Sequence, residues 1–287
     1  MKVTLISKPT FNRDNLQKFL RTVPGAQDFE LDFFAGHAEC LVETAGRLCY
    51  MSFPKPRPGG NPAYIQHILE AGHGSVLEHA NFSFVIEGVS RSLTHELVRH
   101  RAGVAYSQLS QRYVDESVAV MIVPPEMEGD EECVNLAQEA WAVAKVQYKR
   151  IFDKRYRQRV IKSLQRIAAG EPGWIVTPEN METSSTDDLA KLLTRDERTA
   201  HRKASRQEAR CVLPNATETK ITMTGNIRAW RHILEMRGSL HADAEIRRLA
   251  IEICGQLRVE CPVFFDDFEL KTTPEGVQYL NCKYHKV

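Results

Sequence analysis

The alternation of apolar and polar positions is sharpest over 79–87. There Phe82, Phe84 and Ile86 point one way and Asn81, Ser83 and Val85 the other, which predicts a strand with one strongly apolar face. The period changes at Ser90. Val89, Leu93 and Leu97 recur every fourth residue, so a helix is expected to about His100. Elsewhere the pattern predicts a first strand over 3–6 and a helix over 35–50. After a Pro/Gly-rich loop at 53–60, Asn61 is expected to cap a helix running from Pro62 to about Ala71. Residues 118–123 read as another apolar strand. A long helical stretch over 131–169 is expected to break near Asp153. Residues 170–200 read as a surface excursion with a short helix around 187–194, capped by the Ser184-Ser185 pair. Further helices are expected from Asn226 to Gly238 and from Ala242 to Leu257. A tail from about 265 is expected to turn at Pro274-Glu-Gly276. The expected fold is α/β (α+β), a single domain over 1–287, with a central mixed or antiparallel sheet flanked by helices.

Composition narrows the function classes. The chain has 287 residues, 43% of them hydrophobic and 26% charged, enough to bury a core. Its 38 Lys and Arg against 37 Asp and Glu leave a net charge of +1, which disfavours a nucleic-acid coat or a polybasic membrane binder. No apolar run approaches the roughly 18 residues of a membrane span, and the apolar N-terminal run is too short for a signal peptide. Seven cysteines without C-x-x-C spacing disfavour a disulfide framework or a zinc site. The expectation is a cytoplasmic protein with reduced thiols and no metal.

Chemistry concentrates in three places. Against a neutral whole, 88–113 carries four arginines and one glutamate, a local excess that suits an anion. Arg91, His95 and Arg99 form a stripe at i, i+4, i+8, and Glu96 stands three residues before Arg99, where it can pair with it. Arg91 reads as part of a solvated face. Arg99-His100-Arg101 is either a basic helix end or an anion site. The run from Tyr106 to Tyr113 is dense in hydroxyl and amide groups, including Gln108, Ser110 and Gln111. The second place is Gly72-His73-Gly74-Ser75, where glycines free the backbone for close approach to a ligand. The third spans Arg210, Asn226, Arg228, His232, Arg237 and His241, with Trp230, Ile233 and Leu234 as a packing face. There is no G-x-G-x-x-G after a strand, no Walker loop, no H-E-x-x-H and no G-x-S-x-G.

Arg99-His100-Arg101 followed by Ser110-Gln111-Arg112-Tyr113 resembles the R-H-R…S signature of flavin-dependent thymidylate synthases. The segments Gly72–His79, Arg210-Cys-Val-Leu-Pro214, Asn226-Ile-Arg228 and Leu234-Glu-Met-Arg237 fall in that family's order. The spacer from Ala102 to Leu109 is one residue longer than usual. The resemblance implies a homotetramer with active sites built from several subunits, FAD as cofactor, and dUMP, methylenetetrahydrofolate and NADPH as substrates. The implied reaction is reductive methylation at uracil C5; a UMP C5-methylase of the same fold is the alternative. By position, Ser75, Arg99, His100, Arg101, Asn226 and His232 match flavin contacts, and His73 lies in the flavin and folate vicinity. Ser110, Arg112 and Arg210 match ligands of the nucleotide phosphate. Glu96, Arg99, Gln108 and Gln111 match further nucleotide-pocket positions. Arg237 matches the arginine facing the uracil edge, where a cation would stabilise charge developing on the ring. A non-catalytic nucleotide- or RNA-binding module using the arginine-rich helix is the competing class; it predicts a colourless protein whose affinity falls steeply with salt.

Overall fold

Strand β2 (Asn81–Ser90) buries Phe82, Phe84 and Ile86 on one face, as the alternation requires. Each such side chain contributes roughly 1.5–3 kcal/mol when removed from water. The computed structural model describes residues 1–55, 57–170 and 177–285. Strand β1 (Lys2–Ser7) pairs antiparallel with β2. Strand β3 (Val104–Gln108) pairs antiparallel with β4 (Glu218–Asn226), giving a sheet of order β1-β2-β4-β3. The chain divides into two compact units, Met1–Gln108 with Thr219–Val287, and Leu109–Glu218.

In the first unit, helices α1 (Arg13–Leu20), α2 (His37–Tyr50), α3 (Gly60–Glu70) and α4 (Arg91–Leu97) precede β3. Asn61 does not cap α3. It lies inside the first turn, buried, and its amide donates to Glu43 Oε2 at 2.7 Å. Glu43 also holds Arg47, so the first helical turn is spent on a buried polar cluster rather than on a cap. Helix α4 begins where expected, with Ser90 Oγ accepting from Leu93 N–H, but ends at Leu97.

The second unit is built on α5 (Glu131–Gly170), an unbroken helix of 40 residues. Asp153 does not interrupt it, because its carboxylate is exposed and pairs with Lys149 one turn earlier at 3.0 Å. Helices α6 (Pro178–Thr183) and α7 (Thr186–Lys191) follow, then α8 (Arg195–Ala209). The described part of the stretch expected as a surface excursion packs on α5. Met181, Leu189 and Leu193 are buried with Tyr156, Val160 and Leu164 of α5, and Arg157 donates to the carbonyls of Met181, Glu182 and Ser184. The expected break at 170–173 falls mostly outside the described residues. The expected strand at 118–123 reduces to one bridge between Met121 and Thr217, with Val118 in a short 3-10 turn and both Val118 and Val120 exposed.

Back in the first unit, β4 runs directly into α9 (Ile227–Arg237), then α10 (Ala244–Glu260) and a hairpin of β5 (Phe268–Thr272) and β6 (Gln278–Cys282). Trp230 of α9 is fully buried edge-on to Phe84, with its indole N–H on the Phe82 carbonyl. The hairpin is fastened to α9 by Leu280 N–H donating to Gly238 O at 2.7 Å.

Candidate functional site

Strand β4 ends on Asn226, whose Oδ1 accepts from Ala229 N–H at 2.8 Å and so caps α9. The strand-to-helix junction thereby places Asn226, Arg228, His232 and Arg237 on one short rod. Gly103 packs against this cap with φ +69, and a Cβ there would stand 2.6 Å from the Asn226 amide nitrogen. Only glycine lets the loop after Arg101 approach so closely.

At the far end of α9, Arg237 meets the segment after α4. Its Nε–H donates to His100 Nε2 at 2.8 Å, and its Nη1 pairs with Glu96 Oε2 at 2.8 Å. Glu96 thus pairs with Arg237 and not with Arg99. Because α4 stops at Leu97, Arg99 no longer shares a helical face with Glu96 and is exposed. Burial and the neighbouring Asp243 carboxyl push Glu96 above the usual carboxylate range, against the pull of Arg237 and Arg99. Burial, followed by the charges of Arg237, His232 and Arg99, holds the His100 imidazole down at about 4. It is neutral at physiological pH, which leaves Nε2 free to accept. The His232 ring lies 5.6 Å away, edge-on. Tyr106 fastens this segment through its hydroxyl, which lies 2.7 Å from Leu97 O and 2.8 Å from His100 O.

His100 gives a direct pH prediction. Between about 6.5 and about 4 the unfolded chain takes up a proton that the folded imidazole refuses, so stability falls as pH drops through that window. His100→Gln removes the titration. Its melting temperature is expected to fall less steeply than wild type between those pH values; an unchanged slope would refute the assignment.

Two cavities of the first unit share Arg228. One, of about 560 Å³, is lined by Gly72, His73, Gly74 and Ser75 with Arg47, Lys55, Arg57 and Arg228, and by no carboxylate. The other, of about 460 Å³, is lined by Gly103, Asn226, Arg228 and His232 among others. Arg47 is held by Glu43 and Arg228 by Glu78, but the Ser75 hydroxyl, the flexible glycines and the cations of Lys55 and Arg57 suit an anionic dinucleotide, so the residues present fit FAD. Not every expected residue faces these openings. Gln108 spends its amide on the hydroxyls of Thr94 and Thr219, at 2.9 and 3.2 Å. Arg101 is exposed, beyond the helix, and His241 is exposed outside α9.

The second unit holds Ser110, Gln111, Arg112 and Arg210. Ser110 opens a turn, accepting from Tyr113 and Val114 N–H through its carbonyl. Gln111 Nε2 and Arg112 Nε are buried with no hydrogen-bond partner. Two buried donors left without an acceptor cost stability unless an anion or another acceptor meets them. Arg210 is exposed, in the turn after α8.

The family model described as Thy1, thymidylate synthase complementing protein, matches residues 33–263. A flavin-dependent thymidylate synthase of Mycobacterium tuberculosis (strain ATCC 25618 / H37Rv) is 45% identical over 240 residues, covering 83% of this chain and 82% of that protein. The chain belongs to the flavin-dependent thymidylate synthases. A second member of that family, from Mycobacterium sp. (strain JLS), is 42% identical over 281 residues, 97% of this chain and 94% of its own. The fold is also that of a solved UMP/dUMP methylase, PolB from Streptomyces cacaoi bound with 5-Br dUMP, with a TM-score of 0.55 at 17% identity over 92% of this chain and 93% of that one. As a flavin-dependent thymidylate synthase the chain has its R-H-R segment directly after α4 and its last signature arginine at the end of α9.

Sequence reasoning missed the Glu96–Arg237 ion pair, whose partners stand 141 positions apart. It also missed Arg47 and Tyr64, which line the larger cavity. The one local signal was the Glu43–Arg47 spacing of four on a helix.

Proposed function

We propose that this chain converts dUMP to dTMP, taking the one-carbon unit from methylenetetrahydrofolate and reducing equivalents from NADPH by way of FAD. Ser75, Arg99, His100, Arg101, Asn226 and His232 would hold the flavin, with His73 beside it. When bound, the flavin supplies the reducing equivalents that turn the transferred carbon into a methyl group. Arg237 polarises the pyrimidine, and neutral His100 and Glu96 fix the plane of its guanidinium. Ser110, Arg112 and Arg210 bind the nucleotide phosphate, and Gln111 belongs to the same nucleotide pocket.

The observation that carries the nucleotide reading is that Gln111 Nε2 and Arg112 Nε are both buried without a hydrogen-bond partner. A dianionic phosphate answers donors of that kind. The assembly is a homotetramer with sites built from several subunits, in the cytoplasm. Leu136, Val143 and Val146 of α5, each more than half exposed, support an association face. Among the described residues, no helix is long and apolar enough to cross a membrane.

The test is turnover of dUMP by the yellow purified protein, with release of FAD on denaturation. Arg112→Ala removes a charged donor, so its Kd for dUMP is expected to rise about 10–100-fold with kcat held within a few-fold. A colourless protein, or an Arg112→Ala enzyme with unchanged dUMP affinity, would overturn the respective assignment.

A further inference from the structure

Among the described residues, and apart from those given roles above, one group of ligating side chains gathers at a single point. Glu235 of α9, Cys282 at the end of β6 and His285 just beyond it offer a carboxylate oxygen, a sulfur and a ring nitrogen that all lie within 4.8 Å of one another. His285 Nδ1 is 3.5 Å from Cys282 Sγ and 2.9 Å from Glu235 Oε1.

Those distances can be compared with metal coordination. Zinc binds sulfur at about 2.3 Å and nitrogen at about 2.0–2.1 Å in tetrahedral geometry, which sets sulfur and nitrogen about 3.6 Å apart. The sulfur–nitrogen edge is already at that length. The nitrogen–oxygen edge would be about 3.3 Å in such a site, so the Glu–His contact needs to open by only a few tenths of an ångström. The backbone around the set is held independently. Arg231 donates to the Tyr284 carbonyl at 3.0 Å, and Asp267 accepts from Tyr284 N–H at 3.2 Å. Leu280 N–H is bound to Gly238 O at the end of α9. The three side chains are therefore presented from a fixed turn and a fixed helix, so little ordering remains for a metal to impose.

We propose that Glu235, Cys282 and His285 form a divalent transition-metal site of the zinc class, which clips the C-terminal hairpin to α9. The sulfur, nitrogen and oxygen donors select zinc-like ions over magnesium or calcium, which prefer oxygen throughout. Binding exchanges the thiol proton for the metal, and the proton leaves to solvent. Three protein ligands leave a fourth position for water. Because Glu235 and Tyr284 also line the smaller cavity with Asn226 and His232, the site stands at the wall of the proposed flavin pocket without using its contacts. The spacing rule that disfavoured a metal looked for paired cysteines. This set instead joins a Cys-x-x-His pair in the tail to a glutamate 50 positions before His285.

The test uses the full chain, stripped with a chelator and titrated with Co²⁺. One equivalent is expected to give the visible d–d bands of a tetrahedral site, at wavelengths beyond the flavin absorption, and Zn²⁺ should bleach them. His285 is well exposed, so His285→Gln should fold normally, and it is expected to weaken Co²⁺ binding more than about 100-fold; outer-shell changes alone cost about 10–100-fold. Cys282→Ser should abolish the bands, whereas Cys133→Ser, at an exposed position on α5, should keep them. Zn²⁺ should raise the melting temperature of wild type but not of His285→Gln. Absence of d–d bands in wild type, or bands that survive Cys282→Ser, would mean a plain Glu–His ion pair and would overturn the site. Neither result bears on dUMP turnover, so the two readings fail separately.

Discussion

Arg237→Ala is expected to lower kcat for dTMP formation by about 10²–10³-fold, the loss that follows removal of one donor aimed at developing charge. The guanidinium is held from two sides, by His100 at Nε and by Glu96 at Nη1. Its position is therefore fixed before substrate arrives, and a positioned charge does more for a transition state than a mobile one. Arg237→Lys should not restore the rate. An ammonium has donors enough, but they radiate from one nitrogen and cannot reproduce the planar fork that meets His100 and Glu96 from separate nitrogens. Flavin content measured on the same preparations separates a catalytic loss from a failure to bind cofactor. Near-wild-type turnover in flavin-loaded Arg237→Ala would remove the role assigned to this residue.

The second large effect concerns stability. Arg231 and Asp267 form a buried ion pair, with side chains 3% and 8% exposed and contacts of 2.6 and 2.8 Å. Arg231 also donates to the Phe264 and Tyr284 carbonyls and lies over the Phe268 ring. Arg231→Met leaves a carboxylate and two carbonyls buried without their donor, which should cost about 3–5 kcal/mol. The urea midpoint should fall accordingly with little change in slope. Asp267→Leu in the same background should recover part of the loss, because the stranded charge goes with it. A single variant as stable as wild type would contradict this account.

Much of the first unit could be read in the chain because its apolar side chains keep strict time. Phe82, Phe84 and Ile86 mark β2, the shift at Ser90 marks α4, and Trp230, Ile233 and Leu234 mark α9 with Asn226 as its cap. Strands β3 and β4 escaped notice. They carry Thr and Ser between the apolar positions, and Thr219 is buried, so polarity does not report exposure there. Helix α8 escaped for a related reason. Only Ser205 and Ala209 of its 15 residues are buried, and its start is marked by a capping box of Thr194 and Glu197 rather than by an apolar stripe. The signature segments that place the chain in its family were legible, and the contacts between them were not. No spacing rule could pair Glu96 with Arg237, since helix periodicity relates only near neighbours.

Helix α9 has a consequence for how such enzymes diverge. It is 11 residues long, is capped by Asn226, which the resemblance matches to the flavin, and ends at Arg237, which the resemblance matches to the pyrimidine. Adding one residue would swing everything beyond it by about 100° and push it about 1.5 Å along the axis. An insertion or deletion within this rod would misalign both ends at once, even where the buried side chains such as Trp230 and Arg231 were kept.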